Sequence, residues 1–265
     1  MDVKDQPAIV TGGHSGMGFA AAKLLAEKLA RVTILGRRAE RVKQKANDIG
    51  ALGIACDISD VDGVDAALEE AERVHGPARI LINAAAIGTL YTLLNADGSP
   101  APFENIRAQI EANVMGTLII NRAFASKLTR AVPLPDGLRG LIINVSSVSP
   151  SDGGLGASYS ASKGAVDAIA LSLARELDPW GIRVCTIAPG GIDTEMLHDG
   201  ATPARLEMVK KLTLSVHRLG RPEEFAALAL HICENDYLNG AHYRIDGGLR
   251  VPFSADIGVN START

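Results

Sequence analysis

Seven short aliphatic runs alternate along the chain with longer segments of helical spacing, and few folds accept that pattern. The runs are residues 8–11, 31–35, 53–56, 79–83, 141–147, 183–189 and 241–246. Between them lie helix-like stretches at 17–29, 61–74, 103–128, 158–178 and 222–235. A run such as Leu141-Ile142-Ile143-Asn144-Val145 shows no regular polar alternation. Strands of that kind are buried on both faces, as in a parallel sheet covered by helices. Right-handed crossovers leave few topologies open, so the pattern predicts an α/β, doubly wound (Rossmann-type) domain with a parallel seven-stranded sheet. No repeat or Gly/Ser-rich linker divides the chain, and residues 1–253 read as one domain. The small, polar residues 254–265 read as a flexible C-terminal tail. Two segments break the rhythm, the long loop at 88–102 and the Pro/Gly-rich one at 129–140.

Composition excludes several classes. At 265 residues, 46% hydrophobic and 22% charged, the chain buries a large core without staples. Its net charge of −3 supplies no basic field for a phosphate backbone, so no nucleic-acid partner is expected. Three distant cysteines, Cys56, Cys185 and Cys233, fit neither a disulfide framework nor a zinc site. Six histidines show no metal-ligand spacing, and no metal is expected. The first residues lack the apolar run of a signal peptide, and no stretch approaches eighteen apolar residues. The expectation is a soluble, cytoplasmic protein with no membrane partner.

The chemistry gathers in three places. Thr11-Gly12-Gly13-His14-Ser15-Gly16-Met17-Gly18 joins the first run to the first helical stretch. Glycines there permit a tight turn and let backbone amides at a helix N-terminus approach a pyrophosphate. His14 reads first as a loop residue and second as a cofactor contact. Further on, Tyr159 and Lys163 are four apart in a helical stretch, so both side chains share a face. A tyrosine that acts as a base near neutral pH needs its anion stabilised by roughly 3 units, about 4 kcal/mol. A neighbouring ammonium supplies part of that. Ser146 and Ser147 end a buried run, where α/β sheets place their ligands.

Taken in this order, the motifs resemble those of the short-chain dehydrogenase/reductase family, from residue 8 to about residue 250. The resemblance implies an NAD(P)-dependent oxidoreductase that moves hydride between a nicotinamide and a secondary alcohol or ketone. It implies that Gly12, His14, Ser15, Gly16, Met17 and Gly18 cradle the cofactor phosphates. It places Asp57 and Ile58 at the adenine, and Asn83, Ala84 and Ala85 along the cofactor wall. Asn113 matches the asparagine that holds a proton-relay water, and Ser147, Tyr159 and Lys163 match the catalytic serine, tyrosine and lysine. Pro189, Gly190, Ile192 and Thr194 match the turn that holds the carboxamide. Family precedent also implies a homotetramer, and the stretch 158–178 offers small and apolar residues on more than one side.

The sequence departs from the family pattern in places. Ala84 and Ala86 replace a polar residue and a glycine. Ser147 precedes Tyr159 by twelve residues, one fewer than in many relatives. Ser146 restores the longer spacing, but the flanking Ile-Asn-Val-Ser-Ser-Val favours Ser147. Within the family the chain looks most like the type-2 3-hydroxyacyl-CoA dehydrogenase group.

Cofactor and substrate follow from local chemistry. An acid at the end of the second strand binds the adenosine ribose and repels a 2′-phosphate, which selects NAD. Here that strand runs into Gly36-Arg37-Arg38. Gly36 brings no charge and is expected to leave room, Arg37 offers a planar fork for phosphate, and Arg38 adds a second cation. NADP(H) is therefore the expected cofactor, with NAD(H) second. Residues 194–220 read as a lid that is apolar at Met196 and Leu197, and Leu155 adds an apolar wall. Such a pocket suits an acyl, steroid-like or aromatic ketone. Two alternatives stand beside this reading: an NAD-dependent 3-hydroxyacyl-CoA or hydroxysteroid dehydrogenase, and a non-catalytic cofactor-sensing regulator on the same fold. The regulator would be expected to lose the tyrosine or the lysine, and both are present.

Overall fold

The computed structural model of the chain describes residues 1–89, 91–153, 156–214 and 216–250. Its strands are β1 (Pro7–Thr11), β2 (Arg31–Gly36), β3 (Leu52–Ala55), β4 (Ile80–Asn83), β5 (Gly140–Val145), β6 (Ile182–Pro189) and β7 (His242–Ile245). All pair in parallel in the order 3-2-1-4-5-6-7, the doubly wound arrangement that the alternation predicts. Each of the seven runs is a strand, and the fifth stops at Val145, short of Ser146 and Ser147. Strands β1, β4, β5 and β6 are buried at every residue, which is why they carry unbroken aliphatic runs. The order reverses between β1 and β4, and the loops leaving their C-terminal ends diverge to open a crevice.

Ten helices cover the sheet among the described residues: α1 (Gly16–Glu27), α2 (Ala39–Asp48), α3 (Val61–His75), α4 (Phe103–Ile110), α5 (Gly116–Leu128), α6 (Ser149–Asp152), α7 (Ala157–Leu177), α8 (Glu195–Gly200), α9 (Pro203–Leu212) and α10 (Pro222–Glu234). The helices α1, α2 and α10 pack on one face around Val10, Ile34, Ile82 and Phe225. On the other face α3, α5 and α7 pack around Leu81, Phe124, Ile142 and Val184. Helix α2 is absent from the helical stretches read off the sequence. Val42 and Ala46 are its only buried residues, too few to draw an apolar stripe. The stretch 103–128 is helical throughout, but a five-residue π turn, Glu111–Met115, interrupts it between α4 and α5. No helix among the described residues is long and apolar enough to cross a membrane.

One buried charge stands out. Arg183 in β6 is 2% exposed, although its neighbours are aliphatic. Its guanidinium donates to the carbonyls of Ile232 and Cys233 at the end of α10 and of Leu238 in the turn beyond it, at 3.1, 3.2 and 2.8 Å. It also pairs with Asp236 at 2.8 Å, which in turn holds the chain's own N-terminal ammonium at 2.7 Å. A cation at a helix C-terminus satisfies carbonyls that the helix leaves open.

Candidate active site

The glycine loop lies at the C-terminal end of β1, against the neighbouring strand. Gly12 has φ +65°, and a Cβ there would sit 2.9 Å from the amide nitrogen of Ala85. Gly18 lets α1 start beneath the loop, since a Cβ would meet the Gly12 carbonyl oxygen at 2.5 Å. Ser15 precedes α1 without a side-chain cap, and no acid stands in its first turn. The first amides of α1 thus face the crevice with a favourable dipole. This cradle fits a dinucleotide pyrophosphate. Asn83 braces its floor. It accepts from Thr11 Oγ1 at 2.6 Å, and Thr11 Oγ1 accepts from the Ala85 amide at 3.1 Å. The side chain of Asn83 is thereby used within the protein, and Ala84 and Ala85 present the wall.

Asp57 and Ile58, which the resemblance assigns to the adenine, follow β3. Burial pushes the Asp57 carboxyl up, but the Ser59 hydroxyl and amide, with the charge of Arg37, hold it below the usual range. Ile58 is buried and fills the space above Gly116. Of the turn that the resemblance assigns to the carboxamide, Gly190 follows β6 and packs against Asp246, while Ile192 pairs with Gly220. Thr194 caps α8, accepting from the Leu197 amide at 3.4 Å, and its methyl group lies over Gly16.

Ser147, Tyr159 and Lys163 meet just beyond β5. All three are buried, at 8%, 7% and 4% exposure. Burial raises the Tyr159 phenol, and a hydrogen bond with Ser147 partly offsets the rise. Burial also drives the Lys163 ammonium down to about 8, and the charge of Asp167 opposes it. The expectation that the ammonium lies beside the phenol is met only in part. Both residues share a face of α7, but Lys163 Nζ donates to the Val145 carbonyl at 2.7 Å. A buried ammonium takes the acceptor that the strand end offers. Ser146 points elsewhere and donates to the Lys163 carbonyl oxygen at 2.9 Å. Ser147 is therefore the serine at the phenol, as the flanking pattern favours.

Asn113 sits in the π turn, a place where such turns often serve function. Its Oδ1 accepts from the Ile87 amide at 2.7 Å, and its Nδ2 donates to Ile87 O and Ser162 Oγ, both at 3.0 Å. Its side chain ties the loop after β4 to α7 above the site. Gln109 does the same, donating to Ile87 O and Thr89 O and accepting from Ser158. Sequence reading missed Gln109, because nothing in its spacing marks it.

The end of β2 differs from the expectation in one respect. Gly36 does not leave room: the His14 imidazole fills the space, and a Cβ at Gly36 would run into its Nδ1. The pairing of Thr11 with Leu35 brings the glycine loop that close. His14 Nδ1 is buried without a partner, and its Nε2 lies 3.3 Å from Arg38 Nη2. Burial, Arg38 and Arg41 lower its pKa, so the ring stays neutral at pH 7. Arg41 in α2 grips both carboxylate oxygens of Glu195 in α8. This contact between α2 and α8 also escaped the sequence, since 154 residues separate the partners.

The segment after β6, which the sequence reads as a lid, reaches the loop after β4. Met196 lies on Gly88, where a Cβ would strike its sulfur, and Leu197 is half-buried beside it. Leu155 and the tail 254–265 lie outside the described residues.

Comparison with known proteins agrees with this geometry. The family described as short chain dehydrogenase matches residues 6–203, and the chain belongs to that family. It is 36% identical over 253 residues to 3-hydroxyacyl-CoA dehydrogenase type-2 of Drosophila melanogaster, covering 94% of this chain and 99% of that one. It is 32% identical over 250 residues to 3-oxoacyl-[acyl-carrier-protein] reductase of Bos taurus, covering 93% and 99%. The crystal structure of 3-hydroxyacyl-CoA dehydrogenase type-2 from Mycobacterium avium superposes with a TM-score of 0.86 at 32% identity, covering 94% and 97%. The protein is an oxidoreductase that uses a nicotinamide dinucleotide and acts on an alcohol or ketone.

Proposed function

We propose that the protein is an NADP(H)-preferring dehydrogenase/reductase of an apolar secondary alcohol or ketone, with Ser147, Tyr159 and Lys163 as its catalytic residues. The observation that carries this reading is the meeting of these three buried side chains beside an uncapped glycine-loop helix. When bound, the nicotinamide exchanges a hydride with the carbinol carbon of the substrate. Ser147 donates a hydrogen bond to the substrate oxygen and stabilises charge that develops there. Tyr159 gives or takes the hydroxyl proton at its Oη. Lys163, as an ammonium, favours the phenolate and holds the nicotinamide ribose hydroxyls. Asn113 fixes Ile87 over the site and anchors the water through which the Lys163 proton is exchanged.

Support for NADP(H) comes from charge. Gly36 offers no carboxylate, and Arg37 and Arg38 bring positive charge to the end of β2 beside His14, whereas Arg41 is bound by Glu195. The apolar side chains of Met196, which lies on Gly88, and Leu197 support a greasy substrate. A second reading, an NAD-dependent 3-hydroxyacyl-CoA dehydrogenase, is favoured by the similarity to proteins of that name over nearly the whole chain. We propose a homotetramer, on the strength of family precedent and of the exposed Leu171 on α7, and a cytoplasmic location, which the three free cysteines support.

Purified protein assayed with both cofactors against ketones, 3-oxoacyl thioesters and steroids tests these readings. Turnover of an apolar ketone with higher kcat/KM for NADPH than for NADH is the expected result. Preference for NADH with 3-hydroxyacyl-CoA would favour the second reading. Absence of turnover with every pair would overturn both.

A further inference from the structure

Helix α7 carries a third chemical group on the face that bears Tyr159 and Lys163. Asp167 lies four residues beyond Lys163, as Lys163 lies four beyond Tyr159, and residues so spaced stack along one face. The Asp167 side chain is only 16% exposed. Its Oδ1 makes no hydrogen bond although it is buried, and it faces His242 Nδ1 of β7 at 3.4 Å. Ser146, just past β5, stands between the two helix residues, beside Asp167 and 2.9 Å from the Lys163 carbonyl oxygen. Arg244 of β7 comes near, but its guanidinium is committed to Asp152 and Asp246. A half-buried carboxylate whose Oδ1 makes no hydrogen bond, one helical turn from a buried ammonium, calls for an explanation, since each is costly alone.

We propose that Asp167 is a positioning residue: its carboxylate, held among Ser146, His242 and Lys163, keeps the Lys163 ammonium charged and aligned for the cofactor and for Tyr159. The proposal rests on the roles given above to Tyr159 and Lys163. Burial brings Lys163 down to about 8, and Asp167 is the charge that resists a further fall. Burial likewise raises the Asp167 carboxyl, against which Ser146, His242, Lys163 and Arg244 all favour its anion. Without Asp167 the ammonium would lose its proton within the working pH range, and both its grip on ribose and its pull on the phenol would fade. The rival account is a structural clip, in which Asp167 and His242 fasten the edge strand β7 to α7.

The two accounts differ in what a near-isosteric neutral side chain does. In cofactor-free protein with 13Cε-labelled lysine, the Lys163 resonance is identified by its loss in Lys163→Met and titrated by NMR. Asp167→Asn should move that titration down by about one pH unit. The alkaline limb of kcat/KM should move with it, with a loss of up to about tenfold near pH 8 and little loss near pH 6. Asp167→Glu should restore both. The same shift is expected in Asp167→Ser, so that loss of the fold in one variant leaves the other to decide. His242→Gln should lower the melting temperature and leave the limb in place. An unmoved Lys163 titration in a folded neutral variant overturns the proposal and favours the clip. Full activity in Lys163→Met would overturn the catalytic reading of the site instead.

Discussion

The imidazole of His14 lies against the α-carbon of Gly36, so that the place of an NAD-selecting acid is taken by a ring from the phosphate loop. An acid introduced at 36 must therefore displace His14, which moves at its flexible end but gives up its contact with Arg38. Gly36→Asp with Arg37→Leu should narrow the preference for NADPH, and adding His14→Ala should reverse it. One charged contact is worth about 1.5–3 kcal/mol, or roughly ten- to a hundredfold in affinity. The ratio of catalytic efficiencies with the two cofactors reads this directly. A wild-type ratio in favour of NADH would show that the arginines at the end of β2 do not read a phosphate.

Tyr159 and the two serines have separable roles. Tyr159→Phe keeps the ring that fills the site and removes the proton-carrying oxygen. Turnover should fall by about 100- to 10,000-fold while the cofactor still binds. Ser147→Ala should also cut kcat, because Ser147 bonds the phenol. Ser146→Ala should cost less, since Ser146 donates to a backbone carbonyl in α7. The reverse order for the two serines would assign the substrate contact to Ser146.

Most of the fold is legible because burial on both faces leaves an unbroken aliphatic run, which β1, β4 and β5 show. Helix α2 is not legible, because it buries so little that propensity alone marks it. In the site, Tyr159, Lys163 and the glycines stand out through fixed spacing within single elements. What fails to show is contact across elements. His14 meets Gly36 through the pairing of β1 with β2, and Arg41 meets Glu195 through the approach of α8 to α2. Asn113 owes its reach to a π turn that widens the helix locally, and residue spacing does not reveal that. Arg183 reads as an interruption in a strand until its carbonyl partners, 49 to 55 residues later, are placed beside it.

Arg183 should matter for stability far more than for chemistry. Arg183→Ala would strip the carbonyls at the end of α10 of their donor and leave Asp236 with the N-terminal ammonium alone. Breaking a buried pair of this kind costs about 3–5 kcal/mol. In a chain of this size that lowers the melting temperature by on the order of 10 °C. Arg183→Lys should not rescue it, because a single ammonium lacks the planar fork that serves three carbonyls and a carboxylate at once. A melting temperature unchanged in Arg183→Ala would mean that water satisfies the helix end equally well.

Lys163 should trade stability for function, with a sign that pH exposes. Its ammonium titrates at about 8 in the folded protein, against 10.5 when free. The unfolded chain therefore binds the proton more tightly, and the buried charge costs stability at every pH below about 8. Between about pH 8 and 10.5 the folded side chain is neutral while the unfolded one still holds its proton, so the cost fades as pH rises. The full difference is about 3 kcal/mol. Lys163→Met removes the charge and also the hydrogen bond to Val145, whose loss costs about 1–3 kcal/mol. The variant should be inactive yet close to wild type, or above it, in unfolding free energy near pH 7. Wild type should then gain on the variant by about 3 kcal/mol as pH rises toward 10.5. The three buried thiols titrate in both chains and cancel in the difference, and burial raises the Tyr159 phenol, so that below about pH 10 it stays protonated in both. Urea unfolding of both proteins across this range supplies the comparison, and a difference that stays flat with pH would refute the assignment of a depressed pKa to Lys163.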